Sequence, residues 1–63
     1  MTSATLLASF RSSLNAGESR RSAHQTVANE VSDLIGELYA NDCDAGELTA
    51  LEQWWHGVDY RTI

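Results

Sequence analysis

Apolar residues recur every three or four positions along most of this 63-residue chain. Leu6, Leu7, Phe10 and Leu14 fall within about 100° of arc on a helical projection, with Arg11 and serines on the remainder. His24, Val27, Val31, Leu34 and Leu38 then alternate steps of three and four, the rhythm of an a/d seam, widened by Ala23 and Ile35. The opposite face of that segment is polar: Gln25, Asn29, Ser32, Asp33 and Gly36. Leu48, Leu51, Trp55 and Val58 carry the rhythm onward. This periodicity, in a chain without proline, predicts helices over about 3–15, 18–40 and 44–60. The expected fold class is all-α: one domain, 1–63, built as a small two- or three-helix bundle or helical hairpin.

Two near-identical stretches punctuate the pattern, NAGE at 15–18 and DAGE at 44–47. Each places Asn or Asp three residues before Glu, the spacing of a capping box. At Asp44 the flanking Cys43 and Leu48 stand where a hydrophobic staple would. At Asn15 a second reading competes, in which Gly17 closes the preceding helix in the left-handed conformation.

Both tryptophans are adjacent, in LEQWWHG. Neighbours on a helix diverge by about 100°, so Trp54 and Trp55 do not point down one narrow seam. With Leu51 and Val58 as centre line, Trp55 leans towards Leu48 and Trp54 towards Ala50 and Arg61. One indole completes the core; the other is left at its rim, facing a second subunit or a different protein. The alternative is that both cap a small core with their N–H groups in water. Enrichment of tryptophan at binding hot spots favours a protein-binding set of Leu51, Trp54, Trp55, Val58 and Arg61.

Length adds a constraint. Chains this short often need a staple, and a single cysteine, Cys43, forms no internal disulfide. A homodimer is therefore expected, zipped along His24, Val27, Val31, Leu34 and Leu38 together with the tryptophan face, or else a monomer that becomes well ordered on a partner. A lone free cysteine fits a reducing cytoplasm. No segment approaches the roughly 20 apolar residues of a membrane span, and the N-terminus lacks the basic lead and apolar run of a secretory signal. The first 23 residues have the Ser- and Arg-rich, acid-poor composition of a transit peptide, but cleavage there would leave too little chain to fold well.

Charge narrows the partners. Nine acidic residues stand against four arginines and no lysine, a net charge of −5. Residues 1–29 hold three arginines and one glutamate, whereas residues 30–63 hold eight carboxylates and only Arg61. Nucleic acid and anionic membranes are not expected partners, because both demand a basic face. The short NDCD link between the second and third helices suits a helix-turn-helix, but Glu47, Glu52 and Asp59 on the would-be recognition helix carry the wrong sign. No nucleophile motif, phosphate loop or paired metal-ligand spacing occurs; Cys43, His24 and His56 stand singly. No catalytic residue, cofactor or metal is expected.

Residues 51–61, LEQWWHGVDYR, are similar to a helix of the Hha-type nucleoid-modulating proteins, in which Leu and an aromatic pair precede Asp-His-Arg. Here the tripeptide is Asp59-Tyr60-Arg61; the likeness spans 11 of 63 residues, lacks the histidine and assigns no family. In size and composition the chain resembles the short accessory proteins of phages and plasmids. The expected role is that of an acidic, non-catalytic module that regulates or inhibits a larger protein by docking on it. The alternatives are a structural homodimer with no external site, and an acidic mimic that blocks a nucleic-acid-binding protein.

Overall fold

The computed structural model describes residues 1–63 and is all-α, with three helices: α1 (Ser3–Asn15), α2 (Arg20–Ala40) and α3 (Gly46–Gly57). No helix is long and apolar enough to cross a membrane.

The breaks between helices are made by backbone geometry more than by capping boxes. Thr2 starts α1, its hydroxyl accepting from the Thr5 N–H at 3.4 Å. Gly17 ends it at φ +99°, a conformation that costs a residue without Cβ little. The Gly17 N–H donates to the Leu14 carbonyl at 3.0 Å and the Glu18 N–H to the Ser13 carbonyl at 3.1 Å. That pairing is a Schellman closure, so Asn15 is the last residue of α1 and not the cap of α2. The cap of α2 is Ser19, whose hydroxyl accepts from the Ser22 N–H at 3.1 Å.

Glu18 lies outside α2 and does other work. Its carboxylate accepts from the Thr26 hydroxyl at 2.9 Å and the Ser22 hydroxyl at 3.1 Å. Hydrogen bonding by Thr26, then Ser13 and Ser22, holds this carboxyl below its ordinary pKa. Its stabilising contribution is thus present above the unfolded value and lost as pH falls through the folded one.

The end of α2 repeats the first closure with a different residue. Asp42 takes φ +54°, the Asp42 N–H donates to Tyr39 at 3.2 Å and the Cys43 N–H to Leu38 at 2.8 Å. Aspartate tolerates this conformation better than most residues with a Cβ. The capping box expected at Asp44 and Glu47 does not form. Asp44 Oδ1 accepts from the Gly46 N–H at 2.9 Å, an Asx-turn, and α3 starts at Gly46 without a side-chain cap. Cys43 is exposed, with its thiol 3.6 Å from the Asn41 carbonyl, so it is no staple for Leu48; Ala45 is the buried residue of this turn.

The core comprises Leu6 and Phe10 from α1, Ala23, Val27, Ala28 and Val31 from α2, and Trp55 from α3. Leu7, Leu14, Ile35, Leu51, Val58, Tyr60 and Ile63 pack around it half-buried. The five residues of the expected dimer seam differ in burial. Val27 and Val31 are wholly buried within one chain, and His24 and Leu38 are half-buried; Leu34 alone of the five is exposed. Val27 and Val31 share their core with Leu6 and Phe10 of α1 and Trp55 of α3.

α2 is longer than its neighbours, 21 residues against 13 in α1 and 12 in α3. At 1.5 Å per residue, α2 spans about 31 Å and α1 about 20 Å. Because the short link at 16–19 turns α1 back along the N-terminal part of α2, the C-terminal part of α2 overruns α1. The molecule is correspondingly elongated, 36 × 19 × 16 Å.

Gly36 sits inside this overrun with open space where a Cβ would stand. Replacing it with alanine removes a backbone-entropy cost without creating a clash. Gly36→Ala is expected to stabilise the fold by about 1 kcal/mol. For a domain of this size that raises the melting temperature by about 4–8 °C in a circular-dichroism melt. An unchanged or lower midpoint would mean that α2 is not regular at this position.

Candidate functional site: the tryptophan pair

Trp55 lies on the three/four rhythm of α3, which turns it inward. Its side chain is completely buried. Phe10 meets the indole edge-on, ring centroids 5.8 Å apart, and the His24 imidazole stacks on it at 4.9 Å. The Trp55 indole N–H donates to the His24 carbonyl at 2.9 Å, and His24 Nε2 lies 2.9 Å from the Trp55 carbonyl. A carbonyl only accepts, so His24 Nε2 carries the proton and Nδ1 is the nitrogen left free. The two residues thus form a reciprocal clasp between α2 and α3. The last segment folds over it: the Tyr60 ring lies 5.1 Å from His24, and Arg20 donates to the carbonyl oxygens of Tyr60, at 3.2 Å, and Ile63.

Trp54, one residue earlier, points away. It is 43% exposed, touches Trp55 at 6.0 Å between ring centroids, and its indole N–H has no partner within the chain. Ala50 and Gly57, four residues before and three after, are exposed as well. No side chain larger than a methyl group therefore flanks the ring at those positions.

The structure separates the residues singled out in the sequence. Trp54 is exposed, whereas Leu51 and Val58 are half-buried in the core's outer layer. Arg61 is exposed and ion-paired with Asp59 at 3.1 Å. Hydrogen bonding from Arg61 holds the Asp59 carboxyl below the usual carboxylate range and raises the guanidinium's own pKa. Trp55 must be removed from the contact set, because an indole sealed in the core offers nothing to a partner. Sequence reasoning placed His24 on a seam but missed its partner within the chain, and missed Arg20. The findable signal was His24 sharing the apolar rhythm of α2 while Trp55 shared that of α3.

An open polar groove of about 670 Å³ runs beside the clasp, lined by Arg21, Ser22, His24, Gln25, Asn29 and Tyr60, among others. Within it the Gln25 side-chain amide donates to Asn29 at 3.0 Å. No three His, Cys, Asp or Glu side chains converge anywhere in the chain.

In comparisons with known proteins, the chain matches no family model, no curated protein and no solved structure. The segment that resembles an Hha-type helix is helical here only as far as Gly57.

Proposed function

We propose that this chain is a small, non-catalytic protein-binding module, a regulator or inhibitor that docks on a larger protein with Trp54 as its anchor. The supporting observation is the division of labour between adjacent indoles: one is fully buried, the other 43% exposed with an unpaired N–H. An exposed indole fraction of this size represents roughly 2 kcal/mol of hydrophobic free energy that only a partner recovers. The low ground at Ala50 and Gly57 lets a partner's surface close around the ring. In this reading half-buried Leu51 and Val58, with Arg61 tied to Asp59, complete the contact set around it. The reading is non-catalytic because the groove beside His24 is open to water, whereas catalysis gains much from enclosure. A cytoplasmic role belongs to the same reading and rests on the unpaired, exposed Cys43.

We read the working form as a monomer. The two valines at the centre of the anticipated dimer seam are spent inside.

The test uses the wild-type chain and Trp54→Ala as baits in affinity capture from a lysate of the source cells, read by quantitative mass spectrometry. Truncating a central aromatic anchor costs about 2 kcal/mol or more of binding, roughly 30-fold in affinity. A protein captured by the wild type and lost with Trp54→Ala is expected, while circular dichroism and light scattering show an unchanged helical monomer. If the two baits capture the same set, or if the variant unfolds, Trp54 is not the anchor.

A further inference from the structure

The overrun of α2 leaves a second unpartnered face, distinct from Trp54. Leu34 is 36% exposed although its neighbour Val31, one turn earlier, is completely buried. Leu38, one turn later, is half-buried, so the two leucines form one strip along the helix. The strip lies where the shorter α1 has run out. Its border is acidic: Glu30 stands four residues before Leu34 and Glu37 three after it, with Asp33 adjacent, and all three are exposed. None of these carboxylates has a basic partner, since the chain's one ion pair joins Asp59 to Arg61. The four arginines lie elsewhere: Arg11 is on α1, Arg20 and Arg21 begin α2, and Arg61 belongs to the segment folded over that same end.

We propose that this C-terminal part of α2 is a docking face for a basic amphipathic helix of another protein. The guest's apolar stripe lies on Leu34 and Leu38, continuing the space that α1 vacates, and its lysines or arginines face Glu30, Asp33 and Glu37. Charge selects this occupant. A second copy packed symmetrically on the strip would set its own three carboxylates against these three, and an anionic membrane would be repelled in the same way. The face is separate from the tryptophan site: Trp55, and with it Trp54, sits against His24, ten residues and about 15 Å upstream along α2.

The experiment titrates the ¹⁵N-labelled full chain with a synthetic helical peptide bearing leucines on one face and lysines on the other, and with a twin in which glutamate replaces lysine. The lysine peptide is expected to shift the amide signals of residues 30–38, and its affinity to fall about tenfold or more between about 50 and about 500 mM salt. The glutamate twin should shift nothing. Glu30→Gln with Glu37→Gln should weaken binding about tenfold, while Asp42→Asn with Asp44→Asn, an equal loss of charge, weakens it less than about threefold. Trp54→Ala should bind the peptide as wild type does, so this face and the tryptophan anchor stand or fall separately. The proposal is overturned if both charge-removing pairs weaken binding equally, if the shifts centre on Trp54, or if the 30–38 signals move with protein concentration alone, the mark of a second copy.

Discussion

Trp55→Ala is expected to leave the chain mostly unfolded at room temperature. Truncating a fully buried tryptophan costs about 3–5 kcal/mol, because the lost apolar contact is compounded by the cavity left behind. At the usual stability per residue, a chain of 63 residues has only about 3–9 kcal/mol to lose. The environment of Trp55 pushes the cost upward. Its ring is the surface on which Phe10 and His24 rest, and its N–H satisfies the His24 carbonyl. Removing it strips α2 and α3 of their shared contact and leaves α1 without the edge-on partner of Phe10. Far-UV circular dichroism should show most of the helical signal gone and no cooperative melt, and Trp54, the one remaining indole, should emit as a fully hydrated ring. A variant that melts cooperatively within a few degrees of the wild type would show that Trp55 does not hold the core.

Phe10→Ala should come close behind, with a loss of about 3–5 kcal/mol. Phe10 is 1% exposed and supplies the largest side chain that α1 places in the core. Its conservative counterpart separates packing from aromatic geometry. Phe10→Leu keeps most of the apolar volume and forfeits the edge-on contact with Trp55, worth about 0.5–1.5 kcal/mol. The leucine variant is therefore expected to fold and to melt several degrees low, the alanine variant to be largely disordered. Urea titrations of both, followed by circular dichroism, give the comparison; equal midpoints for the two would mean that the site relaxes around any side chain and that α1 is held elsewhere.

Much of the helical pattern was open to inspection because burial imposes a period near 3.6 and this chain obeys it without interruption by proline. Capping was harder to read, since several residues qualify for each role. At 15–18 the asparagine and the glycine offered opposite solutions, and the glycine prevailed because its lack of Cβ allows the closure of α1 at φ +99°. Ser19 hid among serines, and only the geometry of Ser22 distinguishes it as the cap. At 44–47 the aspartate satisfied the Gly46 N–H two residues on, a competing local bond that a three-residue spacing rule does not register.

The tryptophans were legible to a degree. Adjacency requires two directions, and the rhythm Leu48–Leu51–Trp55–Val58 selects the indole that turns inward. The use of the α2 seam was not legible, because an apolar stripe carries no mark of whether its cover comes from the same chain or a copy. Within the chain, α1 and α3 share the core with the seam's central valines. The acidic border around Leu34 was equally invisible as a site, since only the differing lengths of α1 and α2 expose it.

The clasp between His24 and Trp55 bears on uniqueness more than on strength. Alanines, valines and leucines would accept α3 displaced by one turn along α2, about 5.4 Å, with much of their contact retained. The two polar bonds accept no such slip. Each joins a side chain of one residue to the carbonyl of the other, so a displacement breaks both together and strands an indole N–H in the interior. A core this small and this aliphatic holds few shapes that tell one alignment from the next, and this pair acts as the notch that fixes it. The indole at position 54 consequently keeps one address and one orientation on the surface.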